Sequence, residues 1–193
     1  MKKMMAFFAE MNLPNKLTML RMALVPVYLV LVPHYGDGSL AALIVFIIAS
    51  LTDMLDGKIA RKHNLITNFG KFMDPIADKL LTHTAFIMLC AMGRLNVVAC
   101  IIFIAREFVV SGLRLVAVEQ GHVIAAGMSG KIKTVLQMAL VIIITFQLAL
   151  FRTNLWLVLE PLVVVLTLAA AAMTLYSMVE YVWQNRTVLG GAK

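Results

Sequence analysis

Long apolar runs, each about the length of a membrane-crossing helix, constrain this chain more than any other feature. They do not alternate between apolar and polar positions, which excludes a membrane β-barrel. A spanning helix needs about 20 mostly apolar residues. We read six spans, with turn residues between them: 17–32, 39–60, 74–92, 95–118, 132–151 and 155–182. The sequence therefore predicts an all-α, polytopic integral membrane protein with six transmembrane helices.

Composition supports this interpretation. Of the 193 residues, 62% are hydrophobic and 14% are charged, whereas apolar residues make up about 45–50% of a soluble domain. Soluble, disordered and collagen-like chains are thereby excluded. We find no internal repeat and predict a single domain over residues 1–193. Cys90 and Cys100 both lie in apolar runs and provide neither a disulfide framework nor a metal-ligand spacing.

The net charge of +7 would suggest a nucleic-acid partner in a soluble protein. In a membrane protein, cytoplasmic ends collect Lys and Arg, so we predict no nucleic-acid partner. With the N-terminus inside, fourteen basic residues lie at inner ends and loops, and only Arg94 and Arg152 lie outside. Both termini are therefore predicted to be cytoplasmic. Residues 1–13 fit a short helix on the inner membrane surface, and a frayed terminus is the alternative.

Four aspartates are the least expected residues in these spans, because charge within a membrane is costly. Asp53 and Asp56 share a helix face near the inner end of the second span, and Asp74 and Asp78 share one at the start of the third. A short inner loop joins the two spans, which favours their being neighbours. The four carboxylates can therefore meet just below the cytoplasmic headgroups.

Four adjacent carboxylates cannot all be ionised without cations. Mg²⁺ and Mn²⁺ prefer carboxylate oxygens, and two such ions can bridge phosphate oxygens. An anionic substrate is suggested by the neighbouring basic residues, Lys58, Arg61, Lys62, Lys71 and Lys79. As an alternative, the aspartates cap helices or pair with lysines, and Asp74 before Pro75 is an N-cap candidate.

The spacing of these residues resembles a known signature. It reads Asp53-x-x-Asp56-Gly57-x-x-Ala60-Arg61, eight residues, then Gly70-x-x-x-Asp74-x-x-x-Asp78. This resembles, without a gap, the signature of the CDP-alcohol phosphatidyltransferase family. Residues 13–18, 73–79, 106–114 and 130–137 resemble the bacterial branch that uses glycerol 3-phosphate. The resemblance extends from about residue 12 to about residue 182.

The resemblance implies a reaction and a donor site. The phosphatidyl group would pass from CDP-diacylglycerol to sn-glycerol 3-phosphate, and CMP would leave. Asp53, Asp56, Asp74 and Asp78 would hold Mg²⁺ or Mn²⁺, two ions being expected, with Asp78 also the general base. The donor would meet Gly57, Ala60, Arg61, Gly70, Asn15 and Thr18. For Asn15 and Thr18, helix capping is the alternative.

The acceptor carries its own phosphate and needs a cationic pocket. Our candidates are Arg106, Arg114, Lys131 and Lys133. Arg106 lies in mid-span, where an unpaired arginine is costly. As alternatives, the two arginines pair with Glu107 or with an aspartate of the cluster, and the two lysines are ordinary basic flanks of a span. The family also implies a homodimer in the bacterial inner (cytoplasmic) membrane, with its active site on the cytoplasmic side.

Three rival interpretations remain open. Within the family, the acceptor could be inositol, inositol phosphate, serine or phosphatidylglycerol. A divalent-cation transporter could use the acidic cluster as its ion site, but transporters usually place such sites near the midplane and show repeats. A catalytically inactive scaffold is the third alternative, against which the complete motif argues.

Overall fold

A computed structural model of the chain describes residues 11–62, 67–122, 124–125 and 127–190, with the backbone alone at 53–62, 68, 71, 74, 78 and 189. Every regular element in these residues is an α-helix. The helices are α1 (Leu13–Leu31), α2 (Asp37–Lys62), α3 (Asn68–Ala91), α4 (Val97–Glu119), α5 (Met128–Ala149), α6 (Leu155–Gln184) and α7 (Arg186–Leu189). The prediction of an all-helical chain is confirmed. The predicted N-terminal surface helix lies almost wholly outside the described residues.

Each predicted span overlaps one of the first six helices, but several of these helices begin at an earlier residue than the predicted span. The largest difference is in α3, which begins at Asn68 rather than at residue 74. Residues 68–73 include Asn, Gly and Lys, so hydrophobicity alone does not assign them to a helix. Asp74 and Pro75 consequently lie inside α3, and the N-cap interpretation of Asp74 is wrong.

Two of the described helices are long and apolar enough to cross a membrane, namely α5 and α6. A shorter apolar stretch covers Asp37–Thr52 in α2. The interior of α4 carries Arg106, Glu107 and Arg114, so its length and composition do not by themselves make it a span. The six-span count stays a prediction.

The helices fall into two compact units, of which the first runs to Met88 and includes Thr145–Thr153. Here α1 packs against α2. Tyr28 and Phe46 are fully buried, with ring centroids 5.7 Å apart, and the Tyr28 hydroxyl shares a 3.2 Å hydrogen bond with Thr145. These contacts fix the later part of α1 against α2 and Thr145.

The second unit contains Leu89–Ile144 and the chain from Asn154 onward. Within it, α4 packs against α6 and α7. Arg94, just before α4, binds Glu160 in the first turns of α6, and Arg114 near the end of α4 binds Tyr181 near the end of α6. The two helices therefore run parallel. A buried hydrogen bond from Gln137 to Thr174 joins α5 to α6.

Candidate functional site

The four aspartates of the signature lie on two helices of the first unit. Asp53 and Asp56 are in the last turns of α2, and Asp74 and Asp78 are within α3. Residues three or four apart share one helix face, so the backbone places each pair on one face as the sequence predicts. The side chains of the four aspartates, and those of Ala60 and Arg61, lie outside the described residues, as do contacts of Gly57. Their grouping stays a prediction.

Asn15 is fixed to the beginning of α3. Its side-chain amide donates to Thr67 Oγ1 at 3.0 Å, and the Thr67 hydroxyl donates to Asn15 Oδ1 at 3.1 Å. Thr67 Oγ1 also accepts the backbone N–H of Gly70 at 3.0 Å, which is the bond of an N-cap. Buried Asn15 therefore connects the start of α1 to the turn that leads into Asp74.

The alternative that Asn15 caps α1 is wrong, because Asn12 is the N-cap of this helix. The Asn12 side chain accepts the backbone N–H of Asn15 at 3.1 Å. Pro14 occupies the first turn, where its missing N–H costs nothing. Thr18 is fully buried one turn later, and its hydroxyl donates to the carbonyl of Pro14 at 3.1 Å.

The second unit contains a buried charged cluster, which we call the Glu107 cluster: Arg106, Glu107 and Lys133. Glu107 Oε1 accepts a hydrogen bond from Arg106 Nη1 at 2.9 Å and another from Lys133 Nζ. The side chains of Arg106, Glu107 and Lys133 are 8%, 17% and 5% exposed. Two cations thus share one carboxylate oxygen.

Arg106 has further hydrogen-bonding capacity. Its Nε is buried and has no hydrogen-bond partner among the described residues. Its Nη2 lies close to α5, where a Cβ built on Gly130 would stand only 3.1 Å away. A buried guanidinium nitrogen without a partner is costly. The edge of Arg106 that does not face Glu107 is therefore suited to receiving an anion.

The other two predicted acceptor residues have different surroundings. Arg114 is exposed, its Nε donates to the Tyr181 hydroxyl at 3.1 Å, and its guanidinium carbon lies 5.6 Å from the Tyr181 ring centroid. Lys131 is exposed near the start of α5. The structure thus brings Arg106 and Lys133 together through Glu107, and the pairing alternative for Arg106 is confirmed.

Two residues of these sites escaped sequence reasoning in their actual roles. Thr67 was not singled out, although a threonine directly before an apolar helix is a common N-cap signal. Glu107 was considered only as a salt-bridge partner of Arg106 and Arg114. Its second partner, Lys133, is 26 residues away on another helix, and no local pattern reports such a contact.

Comparison with known proteins decides the family. The model of the CDP-alcohol phosphatidyltransferase family matches residues 11–183. The chain belongs to this family. The predicted resemblance is therefore confirmed, and both the Asn15–Thr67 pair and the Glu107 cluster lie within the matched region of this phosphatidyltransferase.

Individual relatives are similar over most of the chain. It is 51% identical over 136 residues to the CDP-diacylglycerol–glycerol-3-phosphate 3-phosphatidyltransferase of Bacillus subtilis (strain 168), which covers 64% of this chain and 70% of the relative. It is 36% identical over 186 residues to the "Probable phosphatidylglycerophosphate synthase" of Mycobacterium tuberculosis (strain ATCC 25618 / H37Rv), covering 94% and 85%. It is 34% identical over 185 residues to the CDP-diacylglycerol–glycerol-3-phosphate 3-phosphatidyltransferase of Shigella flexneri serotype 5b (strain 8401), which covers 93% of this chain and 98% of the relative.

Proposed function

We propose that this phosphatidyltransferase moves the phosphatidyl group from CDP-diacylglycerol to sn-glycerol 3-phosphate, a step of phospholipid biosynthesis. The acceptor hydroxyl forms a new bond to the phosphorus that bears diacylglycerol, and the bond from that phosphorus to CMP breaks. The products are phosphatidylglycerophosphate and CMP. Relatives from three bacteria, 34–51% identical, carry the names of this activity.

The observation that favours glycerol 3-phosphate over a neutral acceptor is the buried Arg106 guanidinium, whose Nε has no hydrogen-bond partner among the described residues. A buried charged donor needs an opposite charge or strong hydrogen bonds, and a phosphate monoester supplies both. Guanidinium groups bind phosphate oxygens with several N–H donors at once. We assign the acceptor phosphate first to Arg106 and Lys133, while Arg114 and Lys131 stay further candidates.

We propose that the four aspartates hold Mg²⁺ or Mn²⁺, with two ions expected. A set of four carboxylates matches the oxygen ligands that these hard cations prefer, and the described backbone supports one shared face for each pair. Asp53, Asp56 and Asp74 would supply ligands to the ions, and Asp78 would help to bind the second ion. When bound, such ions would neutralise charge on the phosphate oxygens at the reacting phosphorus.

Asp78 is proposed as the general base. Its carboxylate would accept the proton of the acceptor hydroxyl as that oxygen bonds to phosphorus. This role needs the acceptor hydroxyl to be held within hydrogen-bond reach of the carboxylate.

The donor is proposed to lie against α1, the end of α2 and the start of α3. A glycine lets a ligand approach the helix backbone closely, which suits Gly57, and Arg61 would pair with donor phosphates. The remaining proposed contacts are Ala60, Gly70, Asn15 and Thr18. The Asn15–Thr67 bonds support this assignment, because they tie the start of α1 to the turn before Asp74.

We further propose six transmembrane helices, cytoplasmic termini and a cytoplasmic active site in the bacterial inner membrane, with the chain acting as one domain and as a homodimer. The excess of basic residues at the predicted inner ends supports the orientation. Acyl chains of the donor would then stay in the bilayer while its pyrophosphate lies at headgroup depth, where the aspartates are predicted.

Steady-state kinetics of an Arg106→Gln variant tests the acceptor assignment. We expect the KM for glycerol 3-phosphate to rise about 10- to 100-fold, which corresponds to loss of a charge-assisted hydrogen bond, with the KM for CDP-diacylglycerol unchanged. Arg152→Gln, at an exposed position between α5 and α6, is the matched control. Equal effects on both KM values, or none on either, would count against the assignment.

A further inference from the structure

One carboxylate oxygen of Glu107 holds two cations from different helices. Arg106 is its neighbour on α4, and Lys133 reaches it from α5. All three side chains are largely buried. Side by side without a carboxylate, the guanidinium and the ammonium would repel each other strongly, because the protein interior screens charge poorly.

Glu107 does more than neutralise a charge. The use of one oxygen for both donors also fixes where the two cationic groups stand relative to each other. Arg106 binds through Nη1, which leaves Nε and Nη2 for another acceptor, and an arginine has five N–H donors in a rigid plane.

The position of Gly130 is independent support for a built site. A Cβ at this residue would come within 3.1 Å of Arg106 Nη2, closer than an ordinary van der Waals contact. The backbone of α5 thus passes beside the guanidinium edge that faces away from Glu107. The position of Arg106 is therefore constrained on two sides.

We propose that Glu107 is a positioning residue for the acceptor, holding Arg106 and Lys133 together so that both donate to the phosphate of glycerol 3-phosphate. The inference rests on the proposed function. Glu107 itself acts through the two cations and does not contact the acceptor. Its loss therefore weakens acceptor binding and leaves donor binding unchanged.

Kinetics of Glu107→Gln test the proposal. The amide keeps the size of the side chain but removes its charge, so Arg106 and Lys133 are no longer held together. We expect the KM for glycerol 3-phosphate to rise at least about tenfold, with kcat at saturating acceptor within about threefold and the KM for CDP-diacylglycerol unchanged. Glu107→Asp keeps the charge and should restore part of the loss. A purely structural role would lower the yield of folded enzyme without this selective change in KM.

A double-mutant cycle separates action through Lys133 from direct contact. If Glu107 acts through Lys133, adding Glu107→Gln to Lys133→Gln raises the KM for glycerol 3-phosphate much less than it does in the wild type. Multiplication of the two single effects would show that Glu107 acts independently of Lys133 and would overturn the proposal. Glu119→Gln, an exposed acid at the end of the same helix, is the control.

The outcomes distinguish this inference from the proposed function. A wild-type enzyme that releases no CMP with glycerol 3-phosphate contradicts the function. An active wild type with Glu107→Gln at an unchanged KM for glycerol 3-phosphate contradicts the positioning role alone. If Glu107→Gln does not fold, Glu107→Asp decides the matter, because its shorter side chain must still raise that KM selectively.

Discussion

The side chains of Asn15 and Thr67 hydrogen-bond to each other although they are 52 residues apart. The Thr67 oxygen also accepts the N–H of Gly70 and so caps α3. One threonine thus begins a helix and fixes that helix to α1. Because Asp74 and Asp78 follow on the same helix, the orientation of half of the signature depends on this contact.

Replacing Thr67 with valine should lower stability without changing side-chain size. The variant loses the N-cap bond, worth about 1 kcal/mol, and leaves Asn15 without its partner, worth a similar amount. We expect the melting temperature in detergent to fall by about 4–8 °C. Thr153→Val, at an exposed threonine that donates to the carbonyl of Leu150, should shift it by no more than about 2 °C. Equal shifts in the two variants would contradict the assigned role of Thr67.

Gly130→Ala should impair acceptor binding through Arg106. The new methyl group would stand 3.1 Å from Arg106 Nη2, so the guanidinium has to move by a few tenths of an ångström. We expect the KM for glycerol 3-phosphate to rise roughly 3- to 10-fold, with the KM for CDP-diacylglycerol unchanged. Gly127→Ala, where the added atom would meet Ser129 Oγ at an ordinary 3.6 Å, is the control. An unchanged KM for the acceptor in Gly130→Ala would argue against a fixed position for Arg106.

Arg94 joins the beginnings of α4 and α6, away from the predicted active site. Its Nη2 donates to Glu160 Oε2 at 2.8 Å, and its guanidinium carbon lies 4.2 Å from the Trp156 ring centroid. Arg94→Lys keeps the charge but loses the flat stacking surface. We expect a loss of about 1 kcal/mol in stability, a fall in melting temperature of about 2–4 °C, and both KM values unchanged. A changed KM would contradict a purely structural role.

Much of the fold was predictable from hydrophobic pattern alone. Six apolar runs located the first six helices, because each of these helices contains a long run of apolar residues. Helix starts were less predictable. The first turns of α3 contain Asn68, Gly70 and Lys71, and the signal that starts this helix is the hydroxyl of Thr67 rather than any apolar residue.

The candidate site divides in the same way. The spacing of the motif predicted the family. It also predicted that each aspartate pair shares one helix face, because residues three or four apart lie on the same face. The two cations on Glu107 depend on α5 lying beside α4. That arrangement is set by tertiary packing. The sequence around Lys133 contains no pattern that predicts this contact; it shows only that residue 133 is positively charged.

Metal dependence is the next expectation. Removal of divalent cations with EDTA should abolish CMP release, and Mg²⁺ or Mn²⁺ should restore it. Asp53→Asn and Asp74→Asn should each remove most activity even at high metal concentration, because each removes a carboxylate ligand. Asp37→Asn, an exposed acid in the first turn of α2, should keep wild-type activity. Full activity in EDTA would contradict the metal proposal and leave the family assignment unaffected.

CMP release from CDP-diacylglycerol by the purified protein, with Mg²⁺ or Mn²⁺ present, tests the central claim most directly. Glycerol 3-phosphate, inositol, inositol phosphate, serine and phosphatidylglycerol should be compared as acceptors, with Asp78→Asn measured in parallel. We predict CMP release with glycerol 3-phosphate alone, and a fall of about 10²- to 10⁴-fold in Asp78→Asn, as expected for loss of a general base. Release with a different acceptor, or folded protein that releases no CMP with glycerol 3-phosphate, would contradict the account.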